Sequence, residues 1–288
     1  MVLNKRGISE TVRHVLDEDI GGGDITSQAI IPKRVKVQAK IFAREPGVLA
    51  GIAVSMAAFQ LLDSKIKFMP LVLDGRTFKA NEVIAYTEGD ARAILSAERV
   101  ALNFLSRLSG IATLTAKFVT AIRPYRTKIM DTRKTTPGLR ILEKYAVGIG
   151  GGYNHRMGLY DQILIKDNHL KVVSYKWPIV HSAVARAKRK RIKTEIEVTN
   201  LREFKSAIKT KPDIIMLDNM SVREIKEAVK LRNSLRTTNR ALKTQLEASG
   251  GVDLKNVKKI ASAGVDMISI GALTHSARPI DFSLEIVK

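Results

Sequence analysis

From about residue 125 onward the chain repeats one pattern, a short apolar run followed by a stretch whose apolar residues recur three and four apart. The runs are KIMDTR (128–133), QILIKD (162–167), TEIEV (194–198), DIIMLD (213–218), QLEASGG (245–251) and DMISIG (266–271). Between them, stretches such as NLREFKSAIKT and SVREIKEAVKLRNSL carry helical spacing. Strands that alternate with helices run parallel, because each helix returns the chain to the edge where the last strand began. The runs have neither a dinucleotide-binding glycine fingerprint nor a Walker-type phosphate loop, which favours a (β/α) barrel over an open nucleotide-binding sheet. Barrels of this kind do their chemistry at the carboxyl ends of the strands.

The earlier part of the chain has a different texture. VKVQAKIFAREPGVLAG (35–51) alternates apolar and polar residues and breaks at Pro46-Gly47. PLVLDGRTFKANEVIAYTEGD (70–90) carries an Asp74-Gly75 hairpin signal between two β-prone runs. Together these read as a small β-rich α+β domain. A helical pattern then starts near Arg92, with Ile94, Leu95, Val100, Leu102, Leu105 and Leu108 at helical spacing, and is expected to be interrupted at Gly110. The expected division is 1–112, including this bridging helix, and 113–288, with the extreme C-terminus free to pack back on the first domain.

With 288 residues, 45% of them hydrophobic, the chain can fill a sizeable core. No stretch approaches the roughly 18 apolar residues of a membrane span. The N-terminus MVLNKRGISE lacks the apolar centre of a signal peptide, so a cytoplasmic setting is expected. Zero cysteines exclude disulfides, a thiolate nucleophile and sulfur-ligated metals, which leaves oxygen or histidine ligands and makes magnesium the best-fitting metal. A net charge of +21 suits either a nucleic-acid binder or an enzyme for polyanionic small molecules. The densest basic stretch, ARAKRKRIK (185–193), has no stacking aromatic residue, so a solvated helix face is the plainer reading and nucleic acid is not the expected partner.

Polar residues gather where each expected barrel strand ends. The ends carry Asp131-Thr132-Arg133-Lys134, Lys166-Asp167-Asn168-His169, the pair Glu195 and Glu197, Asp218-Asn219, Glu247 to Gly251, and Gly271-Ala272. Any one of these residues reads as a helix cap or a local ion pair, but the repetition over six strands points to a site. Arg133, Lys134, Arg156 and Lys166 suit a substrate with more than one carboxylate or phosphate. The turns Ser249-Gly250-Gly251 and Gly271-Ala272 precede helical segments and can offer backbone N–H groups to a phosphate. Glu197 and Asp218 can hold sugar hydroxyls or a magnesium ion. Glu195 shares a strand face with Glu197, so spacing alone leaves either glutamate as the site residue.

The segments DTRKTTPGLR, GGGYNHRMGLYDQILIKDNH, EIEVTN, MLDNMS, LEASGGV and ISIGALTHSA, in this order, are similar to those of the quinolinate phosphoribosyltransferase family. GGGDITS (21–27), AREPGVLAGI (43–52) and SAERVALNFLSRLSGIAT (96–113) extend the resemblance over nearly the whole chain. It implies an α/β fold: an N-terminal α/β sandwich domain and an incomplete, seven-stranded α/β barrel. The pattern supplies six of those strands, and the seventh is expected within 144–150 or 172–192. The resemblance also implies a homodimer or a larger assembly of dimers with shared active sites, Arg99 of one subunit reaching the barrel mouth of the other.

Position by position, Arg133, Lys134, His155, Arg156 and Lys166 match residues lining the quinolinate and phosphoribosyl sites. Glu197 and Asp218 match the carboxylates near the ribose and magnesium, the metal being held directly or through the substrate, while Ser249, Gly250 and Gly271 match the turns that take the 5-phosphate. The catalytic members of this set are Lys134, Lys166, Glu197 and Asp218, and His169 is left between packing and a supporting role. The implied reaction joins quinolinate to phosphoribosyl pyrophosphate, releasing pyrophosphate and carbon dioxide and giving nicotinate mononucleotide for NAD biosynthesis. The alternatives are a phosphoribosyltransferase for nicotinate or another aromatic acid and, more remotely, a basic RNA-binding protein with an inactive barrel.

Overall fold

A computed structural model describes residues 3–238 and 242–287. In chain order the elements are α1 (Lys5–Ile20), α2 (Ile25–Ile30), β1 (Lys36–Ala43), β2 (Gly47–Val48), α3 (Ile52–Leu62), β3 (Lys67–Pro70), β4 (Thr77–Phe78), β5 (Val83–Asp90) and α4 (Ala91–Ala121). They continue with β6 (Lys128–Met130), α5 (Arg140–Ile149), β7 (Ile163–Ile165), α6 (Asp167–Val172), α7 (Trp177–Arg189), β8 (Thr194–Val198), α8 (Leu201–Ala207), β9 (Ile214–Asp218) and α9 (Val222–Thr238). The last are β10 (Gln245–Ser249), α10 (Val257–Ser262), β11 (Met267–Ser269), α11 (Ala272–His275) and β12 (Phe282–Ile286). Among the described residues, no helix is long and apolar enough to cross a membrane.

The chain forms two compact units. Unit 1 takes the described residues up to Ala116, then Thr135–Gly151 and those from Leu273 onward, and unit 2 takes Lys117–Lys134 and Gly152–Ala272.

Among the described residues of unit 1, an antiparallel four-stranded sheet has the order β12-β1-β5-β3, and β2 pairs with β4. β1 alternates in burial, with Ala39, Ile41 and Ala43 fully inside, which is the two-residue period of a half-buried strand. α1 starts where the Asn4 side chain accepts the Arg6 N–H at 3.0 Å, and it buries Ile8, Val12 and Leu16, one turn apart. The Asp74-Gly75 turn forms, but not as a hairpin, since β3 pairs with β5 and β4 with β2. Asp74 instead caps a helix, its carboxylate accepting the Gly51 and Ile52 N–H groups at 2.9 and 3.0 Å and so satisfying donors at the start of α3. α4 also differs from expectation, because it runs unbroken through Gly110 and Ala112. A Cβ at position 110 would overlap the Arg278 carbonyl, so this glycine permits close backbone approach.

One polar cluster ties the three segments of unit 1 together. Arg107 of α4 donates to Glu143 of α5 from Nε and Nη2 at 3.1 and 2.8 Å, and to the Ala277 carbonyl at 3.2 Å. It also donates to the Thr274 carbonyl. The backbone N–H and hydroxyl of Thr136 complete the shell around Glu143 at 3.1 and 2.8 Å.

Among the described residues of unit 2, six strands form one parallel sheet in the order β6-β11-β10-β9-β8-β7. Every residue of β8 is buried, as expected of a parallel strand covered on both faces. The position next to β6 is filled by a single parallel bridge between Met130 and Tyr153. The Tyr153 N–H donates to the Ile129 carbonyl at 2.8 Å, and the Tyr153 carbonyl accepts the Asp131 N–H at 3.1 Å. The seventh stave is therefore one residue wide and lies just beyond 144–150, while 172–192 holds the whole of α7. A one-residue bridge leaves no alternating pattern for periodicity to detect.

Candidate active site

Because all six strands run parallel, their carboxyl ends share one edge of the sheet, which carries a cationic group and an acidic group. Arg133 and Lys134 follow β6, and the Lys134 N–H donates to Thr132 Oγ1 at 3.1 Å. Arg156 lies in the loop after Tyr153 and is buried, 8% exposed, which is unusual for a guanidinium and marks it as held in place. Burial and the neighbouring Arg133 guanidinium both depress the Arg156 pKa, and Glu195 and Asp161 oppose them. Two like charges this close are costly in a free protein and favourable once an anion sits between them.

The loop 154–162 is tightly built. Asp131 accepts the Asn154 side-chain amide at 2.6 Å and the His155 N–H at 2.8 Å. Asp161 accepts the N–H groups of Met157 and Gly158 at 2.7 and 3.2 Å. Arg156 Nη1 donates to the Gln162 carbonyl at 3.1 Å.

Lys166 follows β7, with Nζ 3.5 Å from Glu197 Oε2. Burial raises the Glu197 pKa, Lys166 pulls it back, and Asp218 at the end of β9 pushes it up again. Two carboxylates that repel in a partly dry place fit a hard cation, since magnesium commonly takes one or two carboxylates and completes its shell with water and substrate phosphates. The donor set thus suits magnesium. His169 acts locally, its Nδ1 accepting the Lys166 N–H at 3.0 Å and fixing the turn into α6.

Ser249 and Gly250 close β10, and the Ser249 carbonyl accepts the Asn219 N–H at 2.8 Å. Gly250 has φ +90°, and a Cβ there would overlap the Asn219 carboxamide, so only glycine lets the two loops approach. Gly271 precedes α11 at the end of the β11 segment. Arg99 belongs to unit 1, on the exposed side of α4.

Below this edge lies a group that sequence spacing did not assemble. Glu195 and Glu247, both fully buried, come from β8 and β10 with β9 between them, as interior layers of a barrel draw on alternate strands. His155 Nε2 lies 3.0 Å from Glu195 Oε2 and 3.6 Å from Glu247 Oε2. Neither oxygen of Glu247 has a donor in good hydrogen-bond geometry, the Ser269 hydroxyl and His155 only partly offsetting its burial. Burial and the Glu195 charge push its pKa up to about 8, so it keeps its proton at neutral pH. These three residues have the ligand types of a metal site. The tautomer argues otherwise: His155 Nδ1 accepts the Arg156 N–H at 2.8 Å, which leaves the ring proton on Nε2, where a metal would have to bind.

The chain matches the N-terminal domain of the quinolinate phosphoribosyl transferase family over residues 24–109 and its C-terminal domain over 111–285. A Bacillus subtilis protein named probable nicotinate-nucleotide pyrophosphorylase (carboxylating) is 41% identical over 284 residues, 99% of this chain and 95% of that protein. A Methanocaldococcus jannaschii protein with the same name is 44% identical over 279 residues, 95% of each chain. The solved nicotinate-nucleotide pyrophosphorylase of Francisella tularensis superposes with a TM-score of 0.88 at 40% identity, covering 99% of this chain and 98% of that one.

Proposed function

Since the chain belongs to the quinolinate phosphoribosyltransferase family, we propose that it is a pentosyltransferase that moves phosphoribosyl from phosphoribosyl pyrophosphate to quinolinate with loss of carbon dioxide. The product is nicotinate mononucleotide, a precursor of NAD. The observation that carries this reading is the Arg133–Arg156 pair, mutually repelling, at the same strand edge as the Glu197–Asp218 pair. The first pair suits a ring dicarboxylate, and the second suits a sugar with its metal.

In the transfer, the ring nitrogen forms a bond to C1 of the ribose as the bond from C1 to pyrophosphate breaks. Positive charge grows on the ribose, and Glu197 and Asp218 are the carboxylates to stabilise it, while Lys134 and Lys166 face the departing anion. When the 2-carboxylate departs as carbon dioxide, the electron pair stays at C2, stabilised by the adjacent positive ring nitrogen, and a proton then binds to that pair. Glu197 and Asp218 would hold magnesium, directly or through the substrate, and the metal would neutralise phosphate charge. His155 supports this site from below, and Ser249, Gly250 and Gly271 offer their turns to the 5-phosphate.

The assembly we favour is a homodimer, or a larger set of dimers, in which exposed Arg99 reaches the partner's barrel, and the setting is cytoplasmic. Sedimentation of the purified protein and fractionation of the source cells test these two points.

The deciding experiment supplies phosphoribosyl pyrophosphate and magnesium with either quinolinate or nicotinate, and follows carbon dioxide and mononucleotide mass. Product and carbon dioxide from quinolinate alone are expected. Product from nicotinate alone would overturn the dicarboxylate pocket and leave the sugar-phosphate half of the site standing.

A further inference from the structure

Glu195 has no place in the chemistry described so far, yet it is fully buried and carries the contacts that lead to Arg156. Two routes run from its Oε2. Along the first, Gln162 donates its side-chain amide to Glu195 Oε2 at 2.7 Å, and the carbonyl of the same Gln162 accepts Arg156 Nη1 at 3.1 Å. Along the second, His155 Nε2 lies 3.0 Å from that oxygen, and His155 Nδ1 accepts the Arg156 backbone N–H at 2.8 Å. One route fixes the guanidinium and the other the backbone of the same arginine. The Glu195 charge also attracts Arg156 directly.

We infer that Glu195 is a positioning residue that holds Arg156 in its dicarboxylate-binding geometry through Gln162 and His155. The inference rests on the reading of Arg156 as a quinolinate ligand. A long, rotamer-rich side chain gains affinity when its geometry is set before the ligand arrives. A charge fully inside the barrel cannot touch substrate, so its effect has to pass through the residues it holds.

The test compares wild type with Glu195→Met, Glu195→Gln and Gln162→Leu, first confirming by circular dichroism that each is folded. KM for quinolinate and for phosphoribosyl pyrophosphate, kcat, and calorimetric affinity for benzene-1,2-dicarboxylate are then measured. Glu195→Met, which keeps length but removes both acceptors, should raise the quinolinate KM about tenfold and leave the other KM within about twofold, the pattern of lost binding at one substrate. Glu195→Gln keeps one acceptor oxygen for both routes and should restore most of that loss. Gln162→Leu cuts only the first route and should give a smaller rise, about threefold, in the same KM.

A folded Glu195→Met with an unchanged quinolinate KM overturns the inference, as does an equal rise in both KM values or a fall in kcat alone. If Glu195→Met does not fold, Gln162→Leu decides by the same measures. Should wild type not turn over quinolinate, the proposed function fails on its own. The positioning role would then stand or fall on whether these variants weaken dicarboxylate binding.

Discussion

Glu143 in unit 1 and Glu247 in unit 2 are both sealed from solvent, and their surroundings treat them in opposite ways. Glu143 accepts from Arg107 Nε and Nη2 and from the N–H and hydroxyl of Thr136, four donors in all. Glu247 finds no donor in good hydrogen-bond geometry, and burial beside Glu195 outweighs the nearby Ser269 hydroxyl and His155 and raises its pKa. In the first case desolvation is compensated in full and the carboxylate fastens three chain segments. In the second the charge is suppressed, so that the nearby Glu195 charge is left to face Arg156. A scaffold spends a buried carboxylate on cohesion, whereas a site keeps one under strain to shape its neighbours.

The sharpest way to break this contrast is Glu143→Ala. It leaves Arg107, whose side chain is 25% exposed, without its partner, and should cost about 3–5 kcal/mol in urea unfolding. A loss within about 1 kcal/mol, the range of exposed pairs, would mean that the cluster does not fasten unit 1.

On the side of the site, Arg133→Ala or Arg156→Ala should weaken dicarboxylate binding by about 2–5 kcal/mol. Calorimetry checks this, and unchanged binding and turnover in both variants would remove them from the site.

The Glu247 proton makes the next expectation one of pH. Its folded pKa, about 8, lies above the ordinary value of 4.5, so the folded state holds a proton that the unfolded state releases. Stability attached to this group is therefore present at low pH and is lost as pH rises through that window. Between about pH 5 and about pH 8 the wild type should lose about 3–4 kcal/mol that Glu247→Gln, neutral throughout, does not. Parallel pH profiles for the two proteins would show that Glu247 is ionised or otherwise paired.

The smallest expected effect is again in unit 1. Asp24 caps α2, accepting the N–H of Ser27 at 3.0 Å and the hydroxyls of Ser27 and Ser96, and Asp24→Ala should cost about 1 kcal/mol in the same urea titration. This variant sets the scale of an ordinary local polar contact against which the two buried carboxylates are compared.

Much of unit 2 was legible because its signals are local. The runs at 128–133, 162–167, 194–198, 213–218, 245–251 and 266–271 each contain one of the parallel strands, since an apolar strand between amphipathic helices shows in its own residues. The edge positions Arg133, Lys166, Glu197, Asp218, Ser249 and Gly271 follow from where those runs stop. Other features left no local trace. Gly110 reads as a break, yet it sits inside α4 because the 278–279 backbone approaches it, and that neighbour is remote in the chain. Asp74-Gly75 reads as a hairpin, yet the flanking strands pair elsewhere. Gln162 opens a recognised run and Asp161 adjoins it, and nothing in their spacing shows that one supports Arg156 and the other shapes its loop.

The alternation of strands and helices, their parallel direction, the exclusion of cysteine ligands from any metal site and the residues that end each strand can all be read along the chain. These follow from periodicity and composition, which are properties of neighbours along the chain. That residues 155, 195 and 247 meet, that burial beside Glu195 pushes the Glu247 pKa up, and that 135–151 and the C-terminal segment belong with unit 1 emerge only once the chain is folded. Those outcomes depend on which side chains strand twist and alternate-strand layering bring together away from water, and on how many donors each buried carboxylate finds there.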